Sequence, residues 1–544
     1  MKVNINNIII SLEKNQDKEL IKEIGKRGIK KENIERIIWN KRSIDSRKKN
    51  DIKFIYSIEV ILKNDIDLSK EVILKNDIDL SKLKDVTIAK EKEIPKREPL
   101  FNKKEVAVIG AGPAGLFAAL RLAEYGYIPL VFERGEEVDK RDITTNNFIN
   151  SSNISDLKAL NPESNVQFGE GGAGTYSDGK LNTRIKSEYI DKVFRELVAC
   201  GAQENIMWDY KPHIGTDVLK VVVKNLREKI KSMGGKFYFN SRMENLHIKD
   251  GKVIGIDVVR GLKEREYYSV DSVILAIGHS SRDTYRMLQV KGVHMENKPF
   301  AVGVRIEHLR EDIDKMQYGK FAGNPLLGAA TYSVTYNNRK EDRGVFSFCM
   351  CPGGVVVNAA SETGGTLVNG MSYSQRDGRF SNSAIVVGIK ENEFGEELFS
   401  GMKFQEKLER KTFEIGNNYG AVYQNVMDFM SNRETKSEIE SSYEMKMNSY
   451  DINNLFPQFI TNNMKAAFEN WGKNSYFISN RVNLIAPETR TSAPIKIVRD
   501  IKGESINVRG LFPIGEGAGY AGGIMSAAVD GIKVVDLSFT KTCL

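Results

Sequence analysis

Cysteine and histidine are scarce in this sequence, and their scarcity excludes two kinds of site. The 544 residues include five histidines and four cysteines, namely Cys200, Cys349, Cys351 and Cys543. Four cysteines are too few for the disulfide framework of a small secreted domain, and their spacing is not that of a zinc site. We therefore expect no stable metal and a cytoplasmic location, where thiols stay reduced.

Long apolar runs are absent as well. Hydrophobic residues make up 41% of the chain, but no apolar run approaches the roughly 20 residues that a helix needs to span a bilayer. The apolar patch at residues 8–10 lies among polar residues without a small-residue cleavage site, so no secretory signal is predicted. The length predicts two or three domains with a large core.

Excess positive charge is confined to the first part of the chain. The net charge is +8, and residues 1–104, with 26 Lys and Arg against 18 Asp and Glu, account for all of it. Strand patterns at residues 8–12 and 54–62 and a helix pattern at 17–27 predict a small basic α/β domain over residues 1–95. Acidic residues are interspersed and aromatic residues are few, so surface solvation is favoured over nucleic-acid binding.

A tandem repeat lies near the end of this segment. EVILKNDIDLSK occupies residues 59–70 and again residues 71–82. Such an insertion is tolerated where the chain meets solvent, so at least one copy is predicted to form a loop or an extended edge. Residues 89–104, with Lys, Glu and two prolines, predict a linker to the next domain.

A glycine fingerprint follows the linker. An apolar strand pattern at residues 106–109 leads into Gly110, Gly112 and Gly115, in the order G-x-G-x-x-G, and then into a helix rich in Ala and Leu. The first glycine allows a tight turn, the second lets backbone approach a pyrophosphate, and the third allows close packing of helix on strand. Unpaired N–H groups at the helix start attract such an anion without a basic side chain.

An acidic residue completes the pattern at the expected distance. Residues 128–132 predict a second strand, and Glu133 follows it directly. Its carboxylate can accept both ribose hydroxyls of an adenosine and would repel a 2′-phosphate. The order of strand, fingerprint, helix, strand and acid favours a dinucleotide site over a purely structural glycine turn, but FAD and NAD both fit it.

Two later stretches favour FAD. Residues 271–280, DSVILAIGHS, predict a buried strand whose end resembles the A-x-G strand end of flavoproteins, although a core strand with a glycine turn is the alternative. Near the C-terminus, residues 511–514 predict a short strand before Gly515-Glu516-Gly517-Ala518-Gly519 and a helix that begins at Gly522 or Gly523. This stretch resembles the closing motif of FAD enzymes, in which an acidic residue and backbone amides hold ribitol and pyrophosphate. Most such enzymes have Asp where this chain has Glu516.

A glycine-rich loop adds a fourth piece. Residues 165–184, NVQFGEGGAGTYSDGKLNTR, place five glycines between Gly169 and Gly179, directly before a predicted helix. Such a loop brings backbone amides close to an anion or a flat ring. The interspersed aromatic and aliphatic residues argue against a flexible surface loop.

These motifs together resemble those of the uncharacterised FAD-dependent dehydrogenases, a family of NAD(P)/FAD-dependent oxidoreductases. The resemblance runs from about Lys41 to the C-terminal helix and includes SIDSRKK (43–49), the glycine-rich loop, CMCPGG (349–354), ETRTSAP (488–494) and GEGAGYAGGIMSAAVDG (515–531). It implies bound FAD and a Rossmann-like fold of the glutathione-reductase type. The family has no generally known substrate.

The motifs define a predicted FAD site. In related flavoproteins the chain near Met243 passes the adenine, which adds that residue. The predicted contacts are Gly110, Gly112, Pro113, Ala114, Gly115, Glu133, Arg134, Gly169, Gly171, Gly172, Gly174, Ser177, Lys180, Met243, Ala276, Gly278, Gly515, Glu516, Gly517, Gly522, Gly523 and Ile524.

The domain order follows from where these motifs lie. Residues 96–290 are predicted to form the first part of the FAD domain, residues 291–475 an inserted α+β substrate domain, and residues 476–544 the closing part of the FAD domain. Outside the stretches assigned above to FAD, no G-x-G-x-x-G follows a strand, so a separate NAD(P)H domain is not expected. NAD(P)H would then bind transiently at the flavin, unless the substrate itself is the reductant.

Candidates for catalysis are few. Cys349 and Cys351 precede Pro-Gly-Gly and fit one face of a strand, where packing is favoured over a redox or flavin contact. His279 follows the A-x-G glycine and is the best placed histidine for a proton role, with a hydrogen-bonding turn residue as the alternative. Arg305 and Arg490 could anchor an anionic substrate or the flavin, and a salt bridge is an equal alternative for either.

The pattern as a whole predicts an FAD-dependent oxidoreductase with noncovalent flavin and a small-molecule or lipid-like substrate. A flavoprotein acting on RNA is the first alternative, because of the basic N-terminal segment and the use of this FAD fold in tRNA modification. A non-catalytic FAD-binding or redox-sensing protein is the second. The sequence does not indicate an oligomeric state.

Overall fold

The computed structural model describes residues 2–63, 85–88, 97–101, 103–151, 158–261, 264–472 and 476–542. The tandem repeat beyond residue 63, residues 89–96 of the predicted linker, and Cys543 lie outside the described residues. The chain divides into two compact units: one consists of Met1–Pro95, Gln203–Pro212 and Asp314–Ala330, and the other of Lys96–Ala202, His213–Ile313 and Thr331–Leu544.

The described residues form helices and strands in a mixed order. The helices are α1 (Gln16–Lys26), α2 (Pro113–Glu124), α3 (Val138–Ile149), α4 (Ile190–Ala199), α5 (Thr216–Ser232), α6 (Arg282–Val290), α7 (Arg310–Tyr318), α8 (Ser400–Ile415), α9 (Val426–Met430), α10 (Gln458–Trp471) and α11 (Ile524–Ser538). The first strands are β1 (Lys2–Ser11), β2 (Ile34–Asp45), β3 (Lys53–Leu62), β4 (Val86–Ile88), β5 (Arg97–Pro99), β6 (Glu105–Ile109), β7 (Ile128–Phe132), β8 (Lys236–Tyr238), β9 (Ser241–Lys249), β10 (Lys252–Arg260), β11 (Glu264–Tyr268) and β12 (Val273–Leu275).

The later strands belong mostly to the second half of the chain. They are β13 (Met295–Asn297), β14 (Phe300–Leu309), β15 (Thr335–Asn338), β16 (Arg343–Cys351), β17 (Val355–Asn358), β18 (Val368–Met371), β19 (Phe380–Ile389), β20 (Ala421–Asn425), β21 (Met447–Ser449), β22 (Asn483–Glu488), β23 (Ile495–Ile497), β24 (Leu511–Pro513) and β25 (Thr540–Thr542).

The smaller unit is an antiparallel sheet with one long helix. Its strands lie in the order β2-β3-β1-β4, and apolar residues of β1, α1 and β3 fill its core. The helix predicted at 17–27 and the strand predicted at 54–62 coincide with α1 and β3, the strand predicted at 8–12 overlaps only the later part of β1, and β2 was not predicted. It lies at the edge of the sheet and lacks the alternation of buried and exposed residues that reveals a strand. Arg42 of β2 pairs with Asp209 through two hydrogen bonds of 2.7 and 3.0 Å.

The larger unit contains a parallel sheet that confirms the predicted α/β class. Its strands lie in the order β24-β12-β6-β7-β8 and every neighbouring pair is parallel. Residues 106–108 of β6 are fully buried, as expected for a strand covered on both faces. Ligands of such sheets bind at the carboxyl ends of the strands, beyond the point where the strand order reverses.

A second, mainly antiparallel sheet of the same unit has the order β15-β16-β19-β14-β22-β20-β21, in which only the β20–β21 pair is parallel. Strand β22 lies in this sheet, although it follows residue 475, where the substrate domain was predicted to end. The predicted domain limits therefore remain predictions. The antiparallel sheet itself extends past the boundary predicted at residue 475.

Two local features differ from expectation. Part of the predicted linker is strand β5, which pairs with β25 at the end of the chain. The glycine-rich loop does not lead directly into a helix, because α4 begins only at Ile190. The loop instead turns through left-handed backbone at Gly171 (φ 82°) into a short 3-10 turn at Gly172–Tyr176.

Among the helices of the described residues, none is both long and apolar enough to cross a membrane.

The close packing of α2 against α11 gives a first prediction. A Cβ at Gly531 would lie 2.3 Å from the Ala114 carbonyl oxygen, which is backbone and cannot swing away. Gly531→Ala should therefore lower the free energy of unfolding by on the order of 2 kcal/mol. Gly25→Ala in α1 is the control, because a Cβ there meets nothing within 4 Å and alanine favours a helix. Equal thermal unfolding of the two variants would contradict this packing.

Candidate functional site

A cavity of about 320 Å³ opens at the carboxyl ends of the parallel strands, a size within the range of ligand pockets. Its wall combines segments from the beginning, middle and end of the sequence. The predicted residues that line it are Gly110, Gly112, Pro113, Ala114, Glu133, Arg134, Gly169, Gly172, Gly174, Ser177, Lys180, Met243, Ala276, Gly278, Glu516, Gly522, Gly523 and Ile524.

Four of the predicted contacts lie behind this wall. They are Gly115, Gly171, Gly515 and Gly517, none of which lines the cavity. A Cβ at Gly115 would lie 2.0 Å from the Gly110 carbonyl oxygen, and one at Gly517 would lie 2.5 Å from the Gly278 carbonyl oxygen. These glycines therefore let the lining segments approach one another, which is a packing role and not direct lining.

Two helix N-termini face the cavity. Helix α2 starts after Gly112 and α11 after Gly523, and neither of these residues caps its helix with a side-chain hydrogen bond. Both starts line the cavity. Free N–H groups and the positive end of the helix dipole attract a phosphate or an electron-rich ring. This arrangement fits the pyrophosphate and flavin ring of FAD.

The carboxylate of Glu133 joins three backbone segments around the cavity. It accepts hydrogen bonds from the N–H groups of Ala111 at 2.8 Å and of Gly135 and Gly169 at 3.0 Å. A carboxylate offers about four acceptor positions, so the capacity left for a ribose hydroxyl is small. Glu133 thus does more than the sequence pattern predicted, because it also fixes the fingerprint turn against the glycine-rich loop.

Arg141 of α3, which sequence analysis missed, organises the same loop. Its fully buried guanidinium donates to the carbonyl oxygens of Asn165, Val166, Glu170 and Gly172 at 2.7–3.0 Å. A Cβ at Gly169 would lie 2.3 Å from the Arg141 Cδ atom. Burial lowers the pKa of Arg141, although the electrostatic effect of nearby acidic groups acts to raise it.

A charged cluster lies at one side of the cavity. Arg134 donates to Glu163 at 2.8 Å and to both oxygens of Asp283 at 3.0 Å, and its guanidinium lies 4.2 Å from the centre of the Phe168 ring. Arg242 also donates to Asp283 at 3.0 Å. The predicted Arg134 contact is therefore a paired cation whose plane rests on an aromatic ring.

Glu516 lies in the cavity wall beside α11. Burial raises the pKa of its carboxyl to about 7, although the positive charge of Lys298 opposes the shift. A carboxyl with this pKa changes protonation near neutral pH, so it can accept or donate a hydrogen bond to a hydroxyl of the ligand.

His279 lies in the cavity wall, close to a buried network of ion pairs. Burial, and then the charges of Arg490 and Arg282, lower the pKa of His279 to about 3, so the imidazole is neutral near pH 7. Arg490 donates to Glu409 at 2.7 and 2.9 Å and to Ser361 at 2.6 Å. Arg490 also lines the cavity, but each of its nitrogens already has an acceptor.

Arg305 lies outside the cavity lining and is fully buried. It makes two hydrogen bonds with Glu488 and donates to Asn382 at 3.1 Å, to Asn369 at 2.7 Å, and to the Cys349 carbonyl oxygen at 2.9 Å. Burial raises the pKa of the Glu488 carboxyl to about 7, against the charge of Arg305. Arg305 and Arg490 thus both form salt bridges, which was the alternative to an anchoring role for substrate or flavin. Of the two candidate thiols, Cys349 lines the cavity and Cys351 is buried behind it.

Within the described ranges, no group of three or more His, Cys, Asp or Glu side chains is arranged to hold a metal ion.

Comparison with known families agrees with this geometry. Residues 104–313 match the family described as pyridine nucleotide-disulphide oxidoreductase, and residues 299–491 match the one described as FAD-dependent protein, C-terminal domain-like. Residues 1–61 match a domain of unknown function. None of these matches concerns RNA.

Individual proteins are similar to different extents. An uncharacterised protein of Clostridium beijerinckii is 46% identical over 543 residues, which covers 98% of both chains. The flavin-dependent halogenase CmlS is 12% identical, with a TM-score of 0.36, over 81% of this chain and 59% of its own. The 3-ketosteroid-delta4-(5alpha)-dehydrogenase of Rhodococcus jostii RHA1 is 14% identical, with a TM-score of 0.33, over 82% of this chain and 99% of its own.

The structural likenesses are too weak to carry an argument, and the assignment depends on the family matches and the C. beijerinckii relative. The cofactor named by one of these families, FAD, is the one that the glycine cradle and the two helix N-termini fit. The chain belongs to the family of uncharacterised FAD-dependent dehydrogenases that its motifs resemble, and it is an FAD-dependent flavoprotein of the oxidoreductase class.

Proposed function

We propose that the protein binds FAD noncovalently in the cavity at the carboxyl edge of the parallel sheet and oxidises or reduces a small molecule there. The observation that carries this proposal is the convergence of two helix N-termini on one cavity lined by the fingerprint and the closing motif. Assembly of the cavity from the beginning, middle and end of the chain supports the glutathione-reductase type of FAD domain.

Each part of the cofactor has residues suited to it. The N–H groups after Gly112 would hold the pyrophosphate, Glu133 a ribose hydroxyl, Glu516 the ribitol, and the start of α11 at Gly523 the flavin ring. Met243 would contact the adenine. When bound, FAD supplies two-electron transfer at its isoalloxazine ring, and the protein supplies position and local charge.

The remaining wall supports a proposal for the substrate class. Phe348 and Cys349 of β16 and Asn369 of β18 also line the cavity. Arg305 and Arg490 are both held by carboxylates, so neither guanidinium is free to bind an acidic group. This pairing favours an uncharged small or lipid-like substrate over an anionic one. The inserted region from about residue 291 onward would be the substrate domain.

Gly112→Val should abolish FAD binding and leave the fold intact. Gly112 has φ −77°, which valine adopts readily, and a Cβ there lies 3.8 Å from the nearest protein atom, the Gly172 Cα. The side chain would instead fill the space of the pyrophosphate. Equilibrium binding of FAD to the apoprotein, followed by flavin fluorescence, measures the loss.

Gly344→Val is the matched control for this variant. A Cβ at Gly344 also has open space, with the Asn337 Oδ1 atom 3.7 Å away, but Gly344 does not line the cavity. The control should bind FAD as the natural protein does. Stoichiometric FAD in Gly112→Val would show that the fingerprint does not hold the pyrophosphate.

Glu133→Ala should lower both FAD affinity and the thermal stability of the apoprotein. The change leaves the N–H groups of Ala111, Gly135 and Gly169 without their acceptor, at a cost of about 2 kcal/mol or more. Glu124→Ala at the end of α2 is the control, because the ion pairs of Glu124 with Arg121 and Lys192 are partly exposed. If the two variants unfold at the same temperature, Glu133 does not join these segments.

The electron donor can be identified from the flavin spectrum. We expect NADH or NADPH to bleach the flavin absorption under anaerobic conditions, because the glycine motifs of the chain are all assigned to FAD and a nicotinamide would then bind at the cavity wall. Glu133 faces the adenosine end of FAD, so it sets no preference between NADH and NADPH. Flavin that neither nicotinamide bleaches would contradict the reductase direction and leave the substrate as the reductant.

A further inference from the structure

The side-chain amide of Asn369 in β18 is oriented by two hydrogen-bond donors. Its Oδ1 atom accepts from Arg305 Nη2 at 2.7 Å and from the Gly370 N–H at 2.9 Å. An amide oxygen can accept two hydrogen bonds, whereas an amide nitrogen only donates, so the oxygen must be the atom that faces Arg305. The NH₂ group of Asn369 is therefore directed away from Arg305.

The support behind Asn369 is buried and closely packed. Arg305 is fully buried and is bonded to Glu488 and Asn382. A Cβ at Gly370 would lie 2.3 Å from Asn382 Oδ1 and 2.6 Å from Arg305 Nη1, so β18 passes directly against this cluster. The position of the Asn369 amide is thus fixed by the protein itself.

The NH₂ group of Asn369 is a hydrogen-bond donor without a partner in the protein. Asn369 lines the cavity and is partly exposed there, and within the described ranges its Nδ2 atom has no acceptor. Both oxygens of Glu488, which also lines the cavity, already accept from Arg305. The Cys349 carbonyl oxygen also accepts from Arg305, at 2.9 Å. A ligand with an oxygen at this place would supply the missing acceptor.

Lys180 adds positive charge to the cavity wall. It lines the cavity and donates one hydrogen bond, to Asp178 at 2.9 Å, and its other N–H groups have no acceptor in the part of the chain that the structure describes. Asp178 is fully buried and also accepts two hydrogen bonds from Arg376. Because one carboxylate is shared by two cations, Lys180 keeps part of its charge. Partial positive charge suits an oxygen that becomes negative only during a reaction.

We propose that the substrate is a carbonyl compound whose oxygen accepts a hydrogen bond from the Asn369 amide, with Lys180 adding positive charge to the same cavity. The inference rests on the proposed function, because it names the substrate class of that site. An uncharged carbonyl compound agrees with the pairing of Arg305 and Arg490 inside the protein. Asn369 is then a catalytic residue, since a preorganised donor stabilises charge that develops on the oxygen.

The proposed acceptor belongs to the substrate and not to the flavin. Asn369 lies in the region from about residue 291 onward, which is the proposed substrate domain. The flavin ring is proposed to lie at the start of α11, whose free N–H groups suit the oxygens of that ring. The donor on β18 is therefore left for a second molecule.

The redox step balances with FAD as the partner. In reduction, a hydride, which carries two electrons, passes from reduced FAD to the carbonyl carbon or to the β-carbon of a conjugated carbonyl compound. In both cases an electron pair moves onto the carbonyl oxygen, where Asn369 donates its hydrogen bond. A proton from water then completes the alcohol or the saturated carbonyl product. Oxidation is the reverse, with the hydride passing to oxidised FAD and the proton to water.

Asn369→Asp tests the donor and keeps its support. The aspartate retains an oxygen for Arg305 and Gly370 but replaces the donor by an acceptor. The probe is 4-cyanophenol at a pH at which it is ionised, because its negative oxygen imitates the reacting carbonyl. We expect the natural holoprotein to bind this phenolate, followed by the change in flavin absorption, and Asn369→Asp to bind it on the order of tenfold or more weakly.

Asn382→Asp is the matched control. Asn382 also accepts from Arg305 through Oδ1, at 3.1 Å, but it lies outside the cavity lining, and its Nδ2 atom has no partner among the described residues. The control adds the same charge beside the same guanidinium and removes no donor from the cavity. It should bind the phenolate as the natural protein does. Equal binding by the natural protein and Asn369→Asp, or an equal loss in both variants, would overturn the inference.

Two further probes test the substrate class. Benzoate is a carboxylate of similar size, and we expect it to bind at least tenfold more weakly than the phenolate. Benzoate that binds as well and loses as much affinity in Asn369→Asp would show a general anion site and contradict the carbonyl class. Reduced holoprotein mixed anaerobically with 2-cyclohexenone should be reoxidised and yield cyclohexanone or cyclohexenol, identified by mass spectrometry. Absence of both products would contradict the redox step.

Failure of this inference and failure of the proposed function are distinguishable. A natural protein that binds no FAD contradicts the proposed function. One that binds FAD but no phenolate contradicts this inference alone. FAD affinity is measured for both variants, and a loss in Asn369→Asp that Asn382→Asp does not share would assign the donor to the cofactor and overturn the inference.

Discussion

The site depends on one buried carboxylate. Glu133 is 5% exposed and accepts three backbone N–H groups, from the fingerprint turn at Ala111, from Gly135 after β7, and from the glycine-rich loop at Gly169. Hydrogen bonds to a charged acceptor are stronger than neutral ones, and more so where water is excluded. These hydrogen bonds join the three segments through the protein's own groups, and such preorganisation reduces the ordering cost of binding.

The buried arginines around the cavity also have their partners within the protein. Arg141 is held by carbonyl oxygens, Arg305 by Glu488 and Arg490 by Glu409, so buried charge is matched within the protein. At Glu409 burial disfavours ionisation, but Arg282 and Arg490 outweigh it and lower the pKa of the carboxyl. The wall residues with a shifted pKa include Glu516, whose pKa is about 7, and Cys349, whose pKa is lowered. Both lie in the wall of the cavity that fits FAD.

Much of the cavity wall could be predicted from the sequence, because glycine spacing reports backbone geometry directly. The parallel strands at residues 106–109 and 128–132 and the start of α11 follow from local patterns. Arg141 could not be found in this way, because a helix reading VDKRDITTNNFI resembles a solvated surface. The feature that could have indicated a buried Arg141 is its position on the helix face that it shares with Val138, Thr145 and Phe148, all of which are buried. The pairing of β22 with β14 and β20 could not be predicted, because it is nonlocal and local patterns do not report it.

The central claim is that FAD occupies this cavity with its pyrophosphate on the α2 N-terminus. A crystal structure of the protein with FAD tests it most directly. The account predicts density for the pyrophosphate at the N–H groups after Gly112 and for the flavin ring between the start of α11 and Cys349. An empty cavity at saturating FAD, or a pyrophosphate bound elsewhere, would contradict it.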